Sequence, residues 1–268
     1  MKKKIDWKIK LNDMLKVKIH FVNKQNINFK MRDYLFNINL KSKIYILDIT
    51  KIASLLTIAC NLLFYAAKNK KTFLILSQQK NKKEIKPIII KTNNFLTKMF
   101  LITNKKVRNN LKKKLILKRK NKKINNKYNT LKLTYLKFIS EKIRCHYITR
   151  NIRAGLLTNW LTTKIKLKNL LISKKKTKII SFYNNLEGIR YMTKRPDIVI
   201  LIDPQNDIII RECFTLKIAT ICLININTDI NIDLSDIVIP INTLNLPSIN
   251  FILNKLSYAI LTGCYQKN

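Results

Sequence analysis

The stretch Pro196 to Glu212, PDIVILIDPQNDIIIRE, reads as strand, turn and helix start. From Ile198 to Ile202 the residues are apolar on both alternate faces, the pattern of a parallel strand whose sheet is covered by helices on both sides. Asp203-Pro204 ends the run, since proline lacks a ladder donor and Asp favours turns, and Asp207 is placed to cap a helix starting near Ile208. A second apolar run, Ala219 to Ile224, follows one helix later, as a right-handed crossover to a neighbouring parallel strand requires. The segment predicts half of a βαβ unit.

Upstream, Lys43 to Ile49 (KIYILDI) predicts a strand, Thr50 a helix cap, and Lys51 to Ala67 a helix apolar round most of its circumference. Lys71 to Ser77 (KTFLILS) predicts the next strand, giving a second parallel unit. Downstream, Asn225 to Asp236 is a polar loop, Ile237 to Ile241 a short strand, and Ile249 to Leu261 a closing helix with Gly263 at its C-cap. A further short strand falls near Tyr147. Thr158 to Ile172 and Lys178 to Leu186 predict the arms of a helical hairpin turning at Lys174-Lys175-Lys176. The fold class is therefore α/β, a Rossmann-like parallel sheet of about five strands flanked by helices. Residues 1–80 and 141–268 share this domain, with the hairpin at 158–187, and 81–140 form a basic insertion between them.

Charge divides the chain. Of 54 basic and 14 acidic residues, only four basic and seven acidic lie from Pro196 onward, so residues 1–195 carry 50 against seven. A net charge of +40 calls for a polyanion, and nucleic acid is the first candidate. The density peaks at 103–127, where 12 of 25 residues are Lys or Arg and the apolar residues are too few to fix a core. The longest apolar helix candidate, Ile52 to Ala67, is shorter than a membrane span, and MKKKIDWKIK has no apolar segment after it, predicting no secretory signal. Abundant Lys, Asn and Ile beside three glycines point to an AT-rich genome of organellar type. Gly155, Gly188 and Gly263 then mark places where positive φ or close packing demands glycine.

The chemistry of cofactors is missing from the pattern. Neither G-x-G-x-x-G nor G-x-x-x-x-G-K-[ST] occurs. The five cysteines stand singly in apolar contexts and predict buried free thiols rather than a metal site. His20 and His146 fit packing or RNA contact in preference to catalysis, and Trp7 and Trp160 fit packing. Asp48, Asp203 and Glu212 at strand ends offer an alternative function, a metal-dependent nucleic-acid-processing enzyme, although turn and cap roles account for them more simply.

Several segments resemble, in order, the bacterial-type small-subunit ribosomal protein S-two family. GLLTNW (Gly155 to Trp160) is similar to its G-G-x-L-T-N-W, and PDIVILIDP with IRE (Ile210 to Glu212) to its P-D-x-x-x-x-x-D-P and V-R-E-A signatures. Further matches are His20-Phe21, NFKM (Asn28 to Met31), YLF (Tyr34 to Phe36), IYILDITK (Ile44 to Lys51) and LNKLSYAILTG (Leu253 to Gly263). The chain departs from the family at Val22, Asn23 and Asn151 to Ala154. The resemblance implies a flavodoxin-like sheet with a protruding helical hairpin, no catalysis, no cofactor and no metal.

Function follows as an expectation: a structural constituent of the small subunit of an organellar ribosome, in the mitochondrial matrix in preference to a plastid. Its partners are rRNA and neighbouring small-subunit proteins, without a membrane or a small-molecule substrate. Lys30, Arg150, Arg153, Thr158, Asn159 and Lys164 are assigned to rRNA. The loop before the hairpin is expected to aim its N–H donors at phosphates. Lys105, Lys106, Arg108, Lys112, Lys113, Lys114 and Arg119 of the insertion complete the set.

Overall fold

A computed structural model describes residues 6–23, 28–37, 44–77, 130–149, 154–172, 187–228 and 230–266. The chain divides into two compact units, 1–79 with 134–268, and 80–133. Residues 80–129 lie outside the described ones, and the architecture below is that of the first unit.

Its elements in chain order are α1 (Leu11–Lys16), β1 (Phe21–Asn23), β2 (Leu35–Asn37), β3 (Ile44–Leu47), α2 (Ile49–Lys68), β4 (Phe73–Ser77), α3 (130–142, within this unit from 134), β5 (His146–Ile148), α4 (Trp160–Ile172), β6 (Ile198–Ile202), α5 (Ile208–Thr215), β7 (Ala219–Ile224), β8 (Ile237–Pro240) and α6 (Leu246–Tyr265). Five strands form one parallel sheet in the order β5-β4-β6-β7-β8. Counted by appearance, this is the order of flavodoxin-like sheets. Every residue of β4 and β6 is buried, which is why neither alternates: helices cover both faces.

One predicted strand belongs elsewhere. Ile44–Leu47 is the middle strand of a separate antiparallel sheet, β1-β3-β2. Tyr45 and Leu47 are buried whereas Ile46 faces solvent, so β3 is one-sided, and its run looks continuous only because its outer face is apolar too. The passage from β3 through α2 to β4 therefore joins two sheets and is no βαβ unit. The segment 134–140, assigned to the insertion, lies in α3. Leu136, Ile139 and Ile143 are buried there, at a helical spacing that interleaved lysines obscure.

Helix α2 starts earlier than predicted. Asp48, not Thr50, is its N-cap, accepting the Thr50 and Lys51 N–H groups at 3.0 and 3.4 Å. The Thr50 hydroxyl, foremost among these donors, holds the Asp48 carboxyl below its ordinary pKa. At 20 residues α2 is long and apolar enough, by length and composition, to cross a membrane. Here Ile52, Leu56, Ala59, Cys60, Leu63 and Phe64 are buried, the packing of a core helix. Helix α6 lies against it and continues to Tyr265, so Gly263 is inside the helix and is not its C-cap. A Cβ at Gly263 would lie 2.5 Å from the Phe64 carbonyl oxygen and 2.8 Å from the Ala67 Cβ. Glycine is what lets the two helices meet at that point.

Two carboxylates fix the register of the parallel strands. The Asp197 carboxylate, just before β6, accepts the Thr72 N–H and hydroxyl, both at 2.8 Å, at the start of β4. Asp236, just before β8, takes the Thr220 N–H and hydroxyl at 2.8 and 3.0 Å. The tetrapeptide Asp-Ile-Val-Ile stands at both places, 197–200 and 236–239, a repeat that does the same work twice. The thiols of Cys60, Cys213 and Cys222 are buried, and burial pushes each up to about 12. Cys145 is only half-buried and Cys264 is exposed, against the expectation of five buried thiols, because both stand near element ends.

Two outcomes test these features. Gly263→Ala gains about 1 kcal/mol of helix propensity but forces backbone apart at about 3 kcal/mol; chemical denaturation should show a net loss, and an unchanged midpoint would contradict the close approach. For Asp197, burial works to raise the pKa, but the Thr72 and Lys71 hydrogen bonds and nearby Lys194 outweigh it and hold the carboxyl below its ordinary value. Such a group stabilises fully above the unfolded carboxyl pKa of about 3.9 and loses that contribution as pH falls through the folded value. Asp197→Asn should therefore be less stable than the parent at pH 7 and converge with it in acid, whereas a difference independent of pH would refute the charge-based clamp.

Candidate nucleic-acid interface

The loop that leads into α4 is built around one side chain. Glu212, on α5 and only 8% exposed, accepts the backbone N–H groups of Gly155, Leu157 and Thr158 at 2.6, 2.8 and 3.2 Å. Gly155 holds φ +84°, a left-handed conformation that a side chain would strain. Trp160, at the first position of α4, is buried and anchors the helix by packing, as predicted.

This geometry corrects the reading of the loop as a phosphate cradle. Its inward N–H donors are engaged by a carboxylate of the chain itself, because a buried helix approach needs acceptors in the folded protein whether or not an external anion arrives. What the loop offers outward is polar and cationic. Thr158 and Asn159 are exposed. The Thr158 carbonyl accepts Arg195 Nη2 at 3.0 Å, and Lys164 Nζ donates to the Thr193 carbonyl at 3.1 Å. Arg195 thus stands beside the predicted residues without having been among them. Its position directly before Pro196, at the edge of the central strand, was the available signal.

Lys30 lies more than a hundred residues before this loop in the chain. Its ammonium, partly exposed, is paired with Asp233 and reaches Asn231 Oδ1 at 3.4 Å. Arg150, Arg153, Lys105, Lys106, Arg108, Lys112, Lys113, Lys114 and Arg119 lie outside the described residues, as does 173–186, the turn and second arm of the predicted hairpin.

Doubly wound sheets bind ligands beyond the carboxyl ends of their strands. Here groups of the chain itself bond one another beyond the ends of β6, β7 and β8. Asp203, after β6, accepts the Thr243 hydroxyl at 3.0 Å. Asn242 Nδ2, after β8, donates to the Phe21 carbonyl of β1 at 2.7 Å. The Asn28 N–H donates to Ile226 beyond β7 at 3.0 Å, and Asn28 Nδ2 to the Thr228 and Ile230 carbonyls at 3.1 and 3.2 Å. His20, next to β1, is buried with its ring centroid 4.0 Å from that of Phe21, and burial lowers its pKa.

The three carboxylates of the enzymatic alternative do not converge. Asp48 caps α2, Asp203 holds Thr243, and Glu212 holds the loop. Among the described residues no group of three or more His, Cys, Asp or Glu is placed to hold a metal ion. Asp207 occupies the N-cap of α5 as predicted, but its carboxylate accepts the Asn231 N–H at 3.0 Å instead of a helix donor.

Removing the Glu212 carboxylate leaves the Leu157 N–H buried and unpaired, at about 1–3 kcal/mol for that donor alone. Glu212→Ala should lose at least about 2 kcal/mol of stability, and the amides of 155, 157 and 158 should exchange faster with solvent. Unchanged protection at those three amides would show that the loop does not depend on Glu212.

Residues 132–263 match the family model of ribosomal protein S2. The matched span contains β5 to β8, α4 to α6, the Gly155–Trp160 loop and the glutamate that organises it. The segments around β1, β2 and β3 that resembled the same family precede that span. Carboxylates engaged in structural bonds and a strongly cationic chain agree with the match, and the chain belongs to the ribosomal protein S2 family, whose members are non-enzymatic structural proteins of the small ribosomal subunit that serve translation.

Proposed function

We propose that this chain binds rRNA through its first 195 residues, within the small subunit of an organellar ribosome of the mitochondrial matrix and beside neighbouring small-subunit proteins. The charge partition carries the reading: 50 basic against seven acidic residues up to 195, four against seven after it. A field of that size favours phosphate backbones, releasing condensed counterions on contact. Family membership supplies the particle, and the Lys-, Asn- and Ile-rich composition supports an organellar genome.

Within that reading the RNA-facing residues fall into two groups. At the loop before α4, Thr158 and Asn159 present hydroxyl and amide groups, with Lys164 and Arg195 as cations held by backbone carbonyls nearby, and Arg150 and Arg153 belong to the same stretch of chain. In the insertion, Lys105, Lys106, Arg108, Lys112, Lys113, Lys114 and Arg119 act through charge and not through base identity. The more apolar part of the insertion, 88–102, suits a neighbouring protein.

Replacing the seven insertion cations by glutamine tests the second group in a salt series with rRNA. Each phosphate that is no longer neutralised flattens the slope of log affinity against log salt by about 0.7–0.9, so the total change reaches about six. A slope identical to that of the parent chain would remove the insertion from the interface.

A further inference from the structure

The outer face of the antiparallel sheet is aromatic where a solvent-facing strand is ordinarily polar. Phe21 and Ile46 stand opposite one another in register and both are exposed, while Val22, Tyr45 and Leu47 point to the core. Phe36, 74% exposed, sits where the register of β2 shifts between Leu35 and Asn37. The turn that leads into β2 adds Phe29, 76% exposed, with the Arg32 guanidinium 5.1 Å from its ring centroid. Left bare, such a face forgoes the stabilisation that buried aromatics supply and invites association.

Charge and shape say what covers it. From Lys16 to Lys51 the sequence has eight basic residues against two acidic, Asp33 and Asp48, and Asp48 is committed to its helix cap. The exposed set is three flat rings and one isoleucine on a short sheet, one ring already paired with a guanidinium. Nucleobases stack on phenylalanine and on arginine planes without regard to sequence, and their phosphates are drawn to the surrounding cations. An aliphatic partner helix would need a groove of aliphatic side chains instead.

We infer that the face formed by Phe21, Ile46 and Phe36, with the Phe29–Arg32 pair beside it, stacks unpaired nucleotides of RNA. This rests on the rRNA-binding reading and adds to it a second mode of contact: bases on rings, distinct from phosphates on cations. The binding module is the N-terminal antiparallel sheet, outside the span that the family match covers.

The test uses the full chain, a single-stranded RNA of about 12 nucleotides and a blunt RNA duplex at fixed salt. Phe29→Ala and Phe36→Ala should each weaken single-strand binding by roughly 5- to 100-fold. Duplex affinity, the salt slope and the melting temperature should not move, and Phe36→Trp should restore binding. The inference is overturned if the double alanine variant binds the single strand as tightly as the parent. It is equally overturned if RNA affinity is unchanged while incorporation into the small subunit fails, which assigns the face to a protein, or if the melting temperature drops, which assigns it to the chain's own fold. A parent chain that binds neither RNA defeats the wider reading along with this one; a parent that binds both, with a double variant that does the same, defeats this one alone.

Discussion

Carboxylates bonded to backbone N–H groups hold this structure together. The chain has 14 acidic side chains among 54 basic ones, and the acidic ones sit at its mechanical joints. Asp48 starts α2, Asp197 and Asp236 align neighbouring strands, and Glu212 closes the loop before α4. Hydrogen bonds to ionised acceptors are about twice as strong as neutral ones. A strongly cationic chain thus fastens these joints with few acidic groups, each bonded to more than one donor.

Polar groups beyond the ends of β6, β7 and β8 likewise bind the chain's own loops. Thr243 bonds Asp203, Asn242 bonds β1, and Asn28 bonds the chain beyond β7, all at the end of the sheet at which related architectures hold cofactors.

Much of the fold was legible because parallel strands buried on both faces leave uninterrupted apolar runs, as at Ile198–Ile202 and Phe73–Ser77. The same rule misled at Ile44–Leu47, where an exposed isoleucine, Ile46, imitated burial. Gly263 was recognised as a constrained position, but its constraint comes from a helix distant in sequence, and no local pattern distinguishes that from a C-cap. Glu212 was read as a turn or cap residue and is a clamp, for its three donors lie more than fifty residues upstream. The loop before α4 was legible from its motif. The pairing of Lys30 with Asp233 was not, since it joins elements 203 residues apart.

The proposed division lies between a cationic N-terminal three quarters, which we propose faces rRNA, and a C-terminal quarter that carries a small acidic excess. Ultraviolet cross-linking of the chain to rRNA in assembled small subunits, with cross-linked peptides identified by mass spectrometry, separates the two. Cross-links should concentrate in residues 1–195. Cross-links concentrated in 196–268, or a chain that enters no rRNA-containing particle, would contradict that division.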